Sequence, residues 1–111
     1  MILDFKNITE KEAEHFKGGE KSAFIRGFQD ENNKIMLFRL EPGASVGRHS
    51  HQGNSETIYL LKGKGRTLSG GEYHEVFAGQ CLYCPEGEEH SLINDGDEEL
   101  IFFAVVPEHH R

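Results

Sequence analysis

Turn-forming residues divide this sequence into short pieces. From Gly18 onward, glycine and proline recur at intervals of about 8–15 residues, and short apolar segments lie between them. Such spacing is too tight for helices of ordinary length and is typical of strands joined by tight turns. The segments predicted as strands are 22–28, 34–40, 56–61, 66–68, 73–77, 80–84, 90–93 and 100–106. With a candidate edge strand at 1–5 and an extended stretch at 49–51, these eight segments predict an all-β fold of about nine or ten short antiparallel strands, arranged as a sandwich or a barrel.

The residues before Gly18 follow a different pattern. Residues 1–5 are a candidate edge strand. Thr9 and Glu12 have the spacing of a capping box, in which each side chain bonds a backbone N–H at the start of a helix. This pattern predicts about one or two helical turns that end near Phe16.

Length and charge limit the classes of function. The chain has 111 residues, the size of one domain, so residues 1–111 are predicted to form a single unit. The formal net charge of −7 argues against binding nucleic acid, whose phosphates attract basic surfaces. The longest apolar run, residues 100–106, is far shorter than a membrane span of about 20 residues. No basic start leads into an apolar stretch, so we expect a cytoplasmic protein with no secretory signal and no membrane partner.

The two cysteines, Cys81 and Cys84, have the C-x-x-C spacing found in redox and zinc sites. A four-sulfur zinc site would need a second pair, which the sequence lacks. Both cysteines lie in the predicted strand 80–84, where residues three apart point to opposite faces. They are therefore predicted to be separate reduced thiols with a structural role.

A group of potential metal ligands lies in the middle of the chain. His49 and His51 are separated by one residue, so on an extended strand both side chains point to one face. Their Cα atoms are then about 6.5–7 Å apart, close enough for two imidazoles to bind one ion. Glu56 follows a short polar loop, whereas His90 comes 34 residues later and can join only through the folded sheet. Three imidazoles and one carboxylate suit a divalent transition metal, namely iron, manganese, nickel, cobalt or zinc.

These residues fall within two motifs that resemble those of the cupin superfamily. The fixed positions of the first motif, over 43–63, are occupied by Gly43, His49, His51, Glu56 and Gly63. Those of the second motif, over 79–94 and after an intermotif segment at 64–78, are occupied by Gly79, Pro85, Gly87, His90 and Asn94. The resemblance implies a small single-domain bacterial cupin, a jelly-roll β-barrel whose mouth holds a metal on the three histidines and the glutamate. The glycines, the proline and the asparagine are then turn residues of the scaffold.

The ligand set predicts a class of chemistry. Three neutral imidazoles and one carboxylate leave a divalent ion with a charge of about +1, and with about two open positions if it is octahedral. Such positions favour small oxygen-rich or carboxylate metabolites that bind through two oxygens. The resemblance then implies an enzyme of dioxygenase, isomerase, lyase or decarboxylase type. The alternative is a non-catalytic module that binds a small ligand or a sugar, or that has a regulatory role.

Four further residues are candidates for contact with a substrate. Tyr59 and Tyr83 lie near the strands that carry the ligands and are candidate phenolic acids or hydrogen-bond donors. Arg26 and Arg39, on the two strands before the first motif, are candidates to hold a substrate carboxylate. The alternative for each of the four is packing or exposure to water.

The remaining features concern the surface. His74, His109 and His110 are predicted to be solvated rather than ligands, and residues 109–111 are a candidate frayed terminus. Related small cupins commonly pair as homodimers, so the resemblance also implies a homodimer. The expected contact surfaces are the segment 1–8 and the hairpin 22–40, in which Phe24, Arg26 and Phe28 are predicted to share one face.

Overall fold

The computed structural model describes all 111 residues and contains ten β-strands. The strands are β1 Lys11–Glu14, β2 Ser22–Gln29, β3 Asn33–Leu40, β4 Ser45–Ser50, β5 Glu56–Lys62, β6 Lys64–Ser69, β7 Glu72–Phe77, β8 Cys81–Cys84, β9 Glu89–Ile93 and β10 Leu100–Pro107. Helical structure is limited to two 3-10 turns, Phe5–Asn7 and Phe16–Gly18. The chain has no helix with the length and apolar character needed to cross a membrane. The prediction of an all-β fold with about ten short strands is confirmed.

The strands form two antiparallel sheets. The large sheet has the order β1-β2-β3-β10-β5-β8, and the small sheet has the order β4-β9-β6-β7. From β3 onward the chain passes repeatedly from one sheet to the other, which is the connectivity of a jelly roll. As a result, strands that are far apart in sequence become neighbours. The pairing of β4 with β9 brings together the two histidine-bearing stretches of the motifs.

The core lies between the two sheets and follows from alternation along the strands. In β5, the side chains of Glu56, Ile58 and Leu60 are buried, and the residues between them are exposed. At the centre, the rings of Phe38 and Phe102 stack with their centroids 4.7 Å apart. Each large apolar side chain buried in this way contributes about 1.5–3 kcal/mol to stability.

The helix predicted within 9–16 is wrong, because Lys11–Glu14 forms strand β1. This strand pairs in antiparallel register with the start of β2. Glu12 does not cap a helix, and its carboxylate accepts a hydrogen bond from the Ser22 hydroxyl at 2.7 Å. Residues 1–5 do not form the expected edge strand either. The N-terminal helical turns exist, but as the two 3-10 turns on either side of β1.

The turn between β1 and β2 is pressed against β4. Three of its residues, His15, Lys17 and Lys21, have left-handed backbone conformations with φ of 50°, 56° and 55°. Such values are uncommon outside glycine and cost free energy. Gly19 and Gly47 allow the close approach, since a Cβ on Gly47 would lie only 2.1 Å from the carbonyl oxygen of Lys17. This close backbone contact therefore fixes the position of the turn beside β4.

The two cysteines are separate thiols, as predicted. Cys81 is exposed, whereas Cys84 is buried on the opposite face of the same strand. Burial raises the pKa of the Cys84 thiol to about 11. A thiol with such a pKa stays protonated at neutral pH, which suits a packing role and not a reactive one.

Candidate metal centre

Three strand ends bring the four predicted ligands together. His49, near the end of β4, lies directly opposite His90 of β9 in the small sheet. Glu56 is the first residue of β5 in the large sheet, and His51 follows the end of β4. The register of β4 against β9 shifts between Val46 and His49, which marks a bulge just before the histidines. The group thus spans the opening between the two sheets.

The ligand atoms form one compact group. Nε2 of His90 lies 3.0 Å from Nε2 of His51, 3.1 Å from Nε2 of His49 and 3.0 Å from Oε1 of Glu56. Nε2 of His51 lies 3.0 Å from the same carboxylate oxygen. All four ligand atoms are within 4.8 Å of one another. Two atoms bound at right angles and about 2.1 Å from one ion are about 3.0 Å apart, so the group is able to hold a divalent transition metal.

The other ring nitrogens fix the direction of the lone pairs. Nδ1 of His49 lies 2.7 Å from the carbonyl oxygen of Gly47, and Nδ1 of His51 lies 2.6 Å from Oδ1 of Asn54. Both Nδ1 atoms must donate, because carbonyl oxygens only accept. In a neutral ring the Nε2 atom then carries a lone pair directed into the group. Converging lone pairs and a carboxylate require a cation or a proton between them. Metal-binding histidines typically donate their other ring N–H to a carbonyl or carboxylate oxygen in the same way.

Burial and mutual contacts shift the pKa values of the group. Glu56 is only 7% exposed. Burial opposes the ionisation of this carboxyl, but its hydrogen bonds with His51 and His90 outweigh burial and lower its pKa to about 2. The hydrogen bond with Glu56 raises the pKa of His51, whereas burial lowers the pKa of His49. At neutral pH Glu56 is therefore a carboxylate and His49 is neutral, and these are the forms that bind metal.

The ligand group lines one cavity of about 420 Å³ between the sheets, a size suited to a small molecule. Much of the remaining lining is apolar and comes from the core, including Phe38 and Phe102. Apart from Glu56 and the histidines, the charged side chains of the lining are Lys17 and Lys34. Neither lysine takes part in any of the salt bridges of the chain. The two lysines of the lining therefore have no acidic partner in an ion pair, and Glu56 is the only carboxylate among the lining residues.

Arg26 and Arg39 do not line this cavity. Arg39 binds both carboxylate oxygens of Glu10, at 2.7 and 2.8 Å, and its guanidinium carbon lies 4.0 Å from the ring centroid of Phe24. Arg26 donates a hydrogen bond to the carbonyl oxygen of Ile8 at 2.6 Å. Most of their partners belong to the N-terminal segment and to the outer face of the large sheet, and Arg39 also forms an ion pair with Glu99 at 3.1 Å. The structure thus places these two candidate substrate contacts away from the ligand group, where they fasten the N-terminal segment to the sheet.

Tyr59 and Tyr83 also lie away from the ligand group. Tyr59 alternates with the buried Ile58 and Leu60 of β5, so it faces the outside of the large sheet and is 43% exposed. Tyr83 is 61% exposed on the edge strand β8. Neither residue lines the cavity that contains the ligands. The structure does not bring the predicted phenol groups to the site.

Three residues at the site escaped prediction. Asn54 orients His51, and its only sequence signal is its place in the polar loop between two ligands. Lys34 lies on β3 opposite Gln29, and both side chains line the cavity. Lys17 directly follows the predicted helical turns, and nothing in the neighbouring sequence marks it as a cavity residue. Long-range packing of the β1–β2 turn on β4 places it there.

Residues 109–111 are not frayed. Nε2 of His109 lies 3.0 Å from the Ser55 hydroxyl, and its Nδ1 lies 3.3 Å from a carboxylate oxygen of Glu86. Arg111 forms an ion pair with the same glutamate. The segment is thus attached to the loop that joins the ligands His51 and Glu56, and the prediction of a loose end is corrected.

Comparisons with known proteins agree with this geometry. The family model for the cupin domain matches residues 36–106, more than half of the chain. An oxalate-binding protein of Thermotoga maritima is 33% identical over 112 residues, covering 96% of this chain and 93% of the relative. The beta-alanine degradation protein BauB of Pseudomonas aeruginosa is 31% identical over 78 residues, covering 67% and 82%. The crystal structure of a predicted oxalate decarboxylase from Thermotoga maritima has a TM-score of 0.92 at 28% identity, covering 97% of this chain and 99% of that one. The chain belongs to the cupin family.

Proposed function

We propose that this cupin holds one divalent transition metal on His49, His51, Glu56 and His90 and binds a small dicarboxylate, with oxalate as the simplest case, at that ion. The observation that carries the proposal is the position of a metal-binding group in a cavity whose other charged side chains are Lys17 and Lys34. A bound metal supplies a Lewis-acidic centre for carboxylate oxygens. The two lysines supply long-range electrostatic attraction for the negatively charged dicarboxylate.

The charge of the cavity favours an anion over a neutral sugar. The whole chain has a formal net charge of −7, yet the cavity concentrates two ammonium groups beside a site for a divalent cation. Glu56 is the only carboxylate that offsets this positive charge, and its Oε1 atom already contacts His51 and His90. Charged groups in a partly desolvated cavity interact strongly with a ligand of opposite sign. The name of the oxalate-binding relative supports the same class of ligand.

Titration calorimetry on the protein loaded with Mn²⁺, and separately with Co²⁺, tests the proposal. We expect one oxalate to bind per metal-loaded chain and the heat to vanish after treatment with EDTA. Glucose, a neutral ligand with many oxygens, should give no binding heat. Binding of oxalate that persists without metal, or equal binding of glucose, would contradict the proposal.

The substitution Lys34→Glu is expected to weaken oxalate binding by at least about tenfold, because it replaces attraction by repulsion at the cavity wall. Metal content should not change, since Lys34 is not a ligand. Lys62→Glu is the matched control, because Lys62 is exposed at the opposite end of β5 from Glu56. The measurement is the calorimetric Kd of each variant in the same buffer, and equal affinities for the two variants would refute the role of Lys34.

Turnover of the bound dicarboxylate is the second candidate function. The supporting observation is that Lys17 and Lys34 line the same cavity as the ligand group, where either side chain is a candidate proton donor. Cleavage of the carbon–carbon bond of oxalate would yield carbon dioxide and, after uptake of one proton from such a group, formate. Formate released from metal-loaded protein and oxalate, and absent with Lys34→Met, would establish this activity. The absence of formate would leave oxalate binding as the function.

We also infer a homodimer built on the outer face of the large sheet. Phe24 and Phe28 share this face with Arg26, since they alternate with residues directed inward. Phe5 covers part of the face by packing edge-on against Phe103, with ring centroids 6.1 Å apart. Met1 and Ile2, at 95% and 93% exposure, extend from the same segment and offer apolar side chains to a second copy. Light scattering should give twice the chain mass of 12.6 kDa, and a monomer would contradict the inference.

A further inference from the structure

The loop 52–55 connects two of the metal-binding residues. His51 precedes it and Glu56 follows it, so the geometry of the loop sets the position of one ligand relative to the other. The segment after β10 lies across this loop and bonds to several of its residues. We propose that Glu108 and His109 are positioning residues of the metal centre, which act through Asn54 and Ser55.

Glu108 acts on the ring of His51 through a short chain of hydrogen bonds. Nδ1 of His51 donates to Oδ1 of Asn54 at 2.6 Å, and Nδ2 of Asn54 donates to Oε1 of Glu108 at 3.3 Å. The backbone N–H of Glu108 donates in turn to the carbonyl oxygen of Asn32 at 2.7 Å, which ties this residue to the β2–β3 turn. Because Glu108 accepts from the amide nitrogen of Asn54, the amide oxygen is left facing His51. A reversed amide would set two donors against each other and would release the ring.

His109 holds the other side of the same loop. Its backbone N–H donates to the carbonyl oxygen of Gly53 at 2.8 Å, and its Nε2 lies 3.0 Å from the hydroxyl of Ser55. Glu86 completes the arrangement, because one of its carboxylate oxygens accepts from the N–H of Gly53 at 2.8 Å and the other lies 3.3 Å from Nδ1 of His109. Ser55 is 5% exposed and directly precedes Glu56. These bonds fix the backbone at the point where the carboxylate ligand begins.

The consequence concerns how firmly a metal is held. Partners in the second shell of metal-binding histidines typically change metal affinity by about 10–100-fold when they are removed. Asn54 is such a partner, because it hydrogen-bonds directly to His51. Glu108 is one hydrogen bond further from the His51 ring. Removal of the acceptor at position 108 is therefore expected to lower metal affinity by about tenfold, the lower end of that range. The substitution should alter metal release without altering the ligand residues themselves.

The test compares Glu108→Ala with Glu108→Gln and with His110→Ala. Glutamine keeps an oxygen that accepts from Asn54, and His110 is exposed and bonds to Asn32 instead of the ligand loop. Each protein is loaded with Co²⁺, its visible absorption spectrum is recorded, and the rate of Co²⁺ transfer to an excess of EDTA is measured. We expect Glu108→Ala to release Co²⁺ about tenfold faster and to change the spectrum, and we expect the other two variants to match the wild type.

Two outcomes would overturn the inference. One is an unchanged release rate for Glu108→Ala, and the other is a glutamine variant that fails as badly as alanine. Far-UV circular dichroism of the metal-free proteins separates these outcomes from a loss of folding. The inference rests on the proposed metal binding, and a wild-type protein that takes up no Co²⁺ would overturn that proposal together with this inference.

Discussion

Replacement of His90 by alanine is expected to abolish stoichiometric metal binding and, with it, the binding of oxalate. Nε2 of His90 lies within 3.1 Å of the ligand atoms of His49, His51 and Glu56, so this one side chain touches every other member of the group. Loss of a direct ligand should cost more than the loss of a residue that only hydrogen-bonds to a ligand, hence more than about 100-fold in metal affinity. Elemental analysis by mass spectrometry and oxalate calorimetry measure the two effects.

His74→Ala provides the control for that experiment. His74 is an exposed histidine of β7 and does not belong to the ligand group, so its removal should leave the metal content at the wild-type level. Circular dichroism should show the same β-sheet spectrum for both variants. Retention of one metal per chain by His90→Ala would show that the ion is held elsewhere.

The substitution Gly47→Ala is expected to lower the free energy of unfolding by about 3 kcal/mol, the upper end of the usual cost of overpacking. An added Cβ would lie 2.1 Å from the carbonyl oxygen of Lys17 and 2.6 Å from the backbone nitrogen of Gly19. Both are backbone atoms, so the strained β1–β2 turn must move away from β4. Because the carbonyl oxygen of Gly47 also bonds Nδ1 of His49, metal affinity should fall as well.

Urea unfolding followed by circular dichroism measures the stability, since the chain has no tryptophan to report by fluorescence. Gly27→Ala, in the middle of β2, is the matched control. The nearest atom to a Cβ there would be Cγ of the Met36 side chain at 3.2 Å, which can move aside, and the next atoms lie at ordinary contact distances of 3.7 and 3.8 Å. The control should stay within about 1 kcal/mol of the wild type. Equal unfolding midpoints for the two variants would rule out the close approach of Gly47 to the turn.

The ligand group could be predicted from sequence because its spacing carries the geometry. His49 and His51 are two residues apart in a segment that the sequence predicts as extended, and that spacing predicts one face for both side chains. Glu56 and His90 could be predicted as ligands from the fixed spacing of the two motifs. That spacing specifies the turns that bring separate strands into register. Strand alternation and motif spacing can both be read from the sequence. In the structure, the four side chains that they predict lie in one group.

The facing of the other strand residues could not be predicted. Phe24, Arg26 and Phe28 share a face as predicted, but it is the outer face, and the inner one is formed by Ala23 and Ile25. Alternation distinguishes two faces without saying which one meets the core, and here both carry apolar side chains. The N-terminal segment that covers the outer face is held by long-range contacts, so no local pattern shows it.

The errors at the two ends of the chain have a common physical cause. Thr9 and Glu12 satisfy a helix-capping pattern. The backbone at Lys11–Glu14 nevertheless gains more free energy by pairing with β2 at the edge of the large sheet. Residues 109–111 look like an unsupported polar end, yet they bond to a loop that lies more than 50 positions earlier. In both cases tertiary contacts outweigh local preference, and such contacts are visible only once the sheets are assembled.

The placement of the ligands on two sheets has a thermodynamic consequence. His49 and His90 belong to the small sheet and Glu56 to the large sheet, so an ion among them would join the two sheets as a reversible cross-link. An ion that binds only the folded chain stabilises it by an amount that grows with the logarithm of its free concentration, about 2.7 kcal/mol at one hundred times its Kd. The supply of metal would then govern the stability of the folded protein as well as its capacity to bind a ligand.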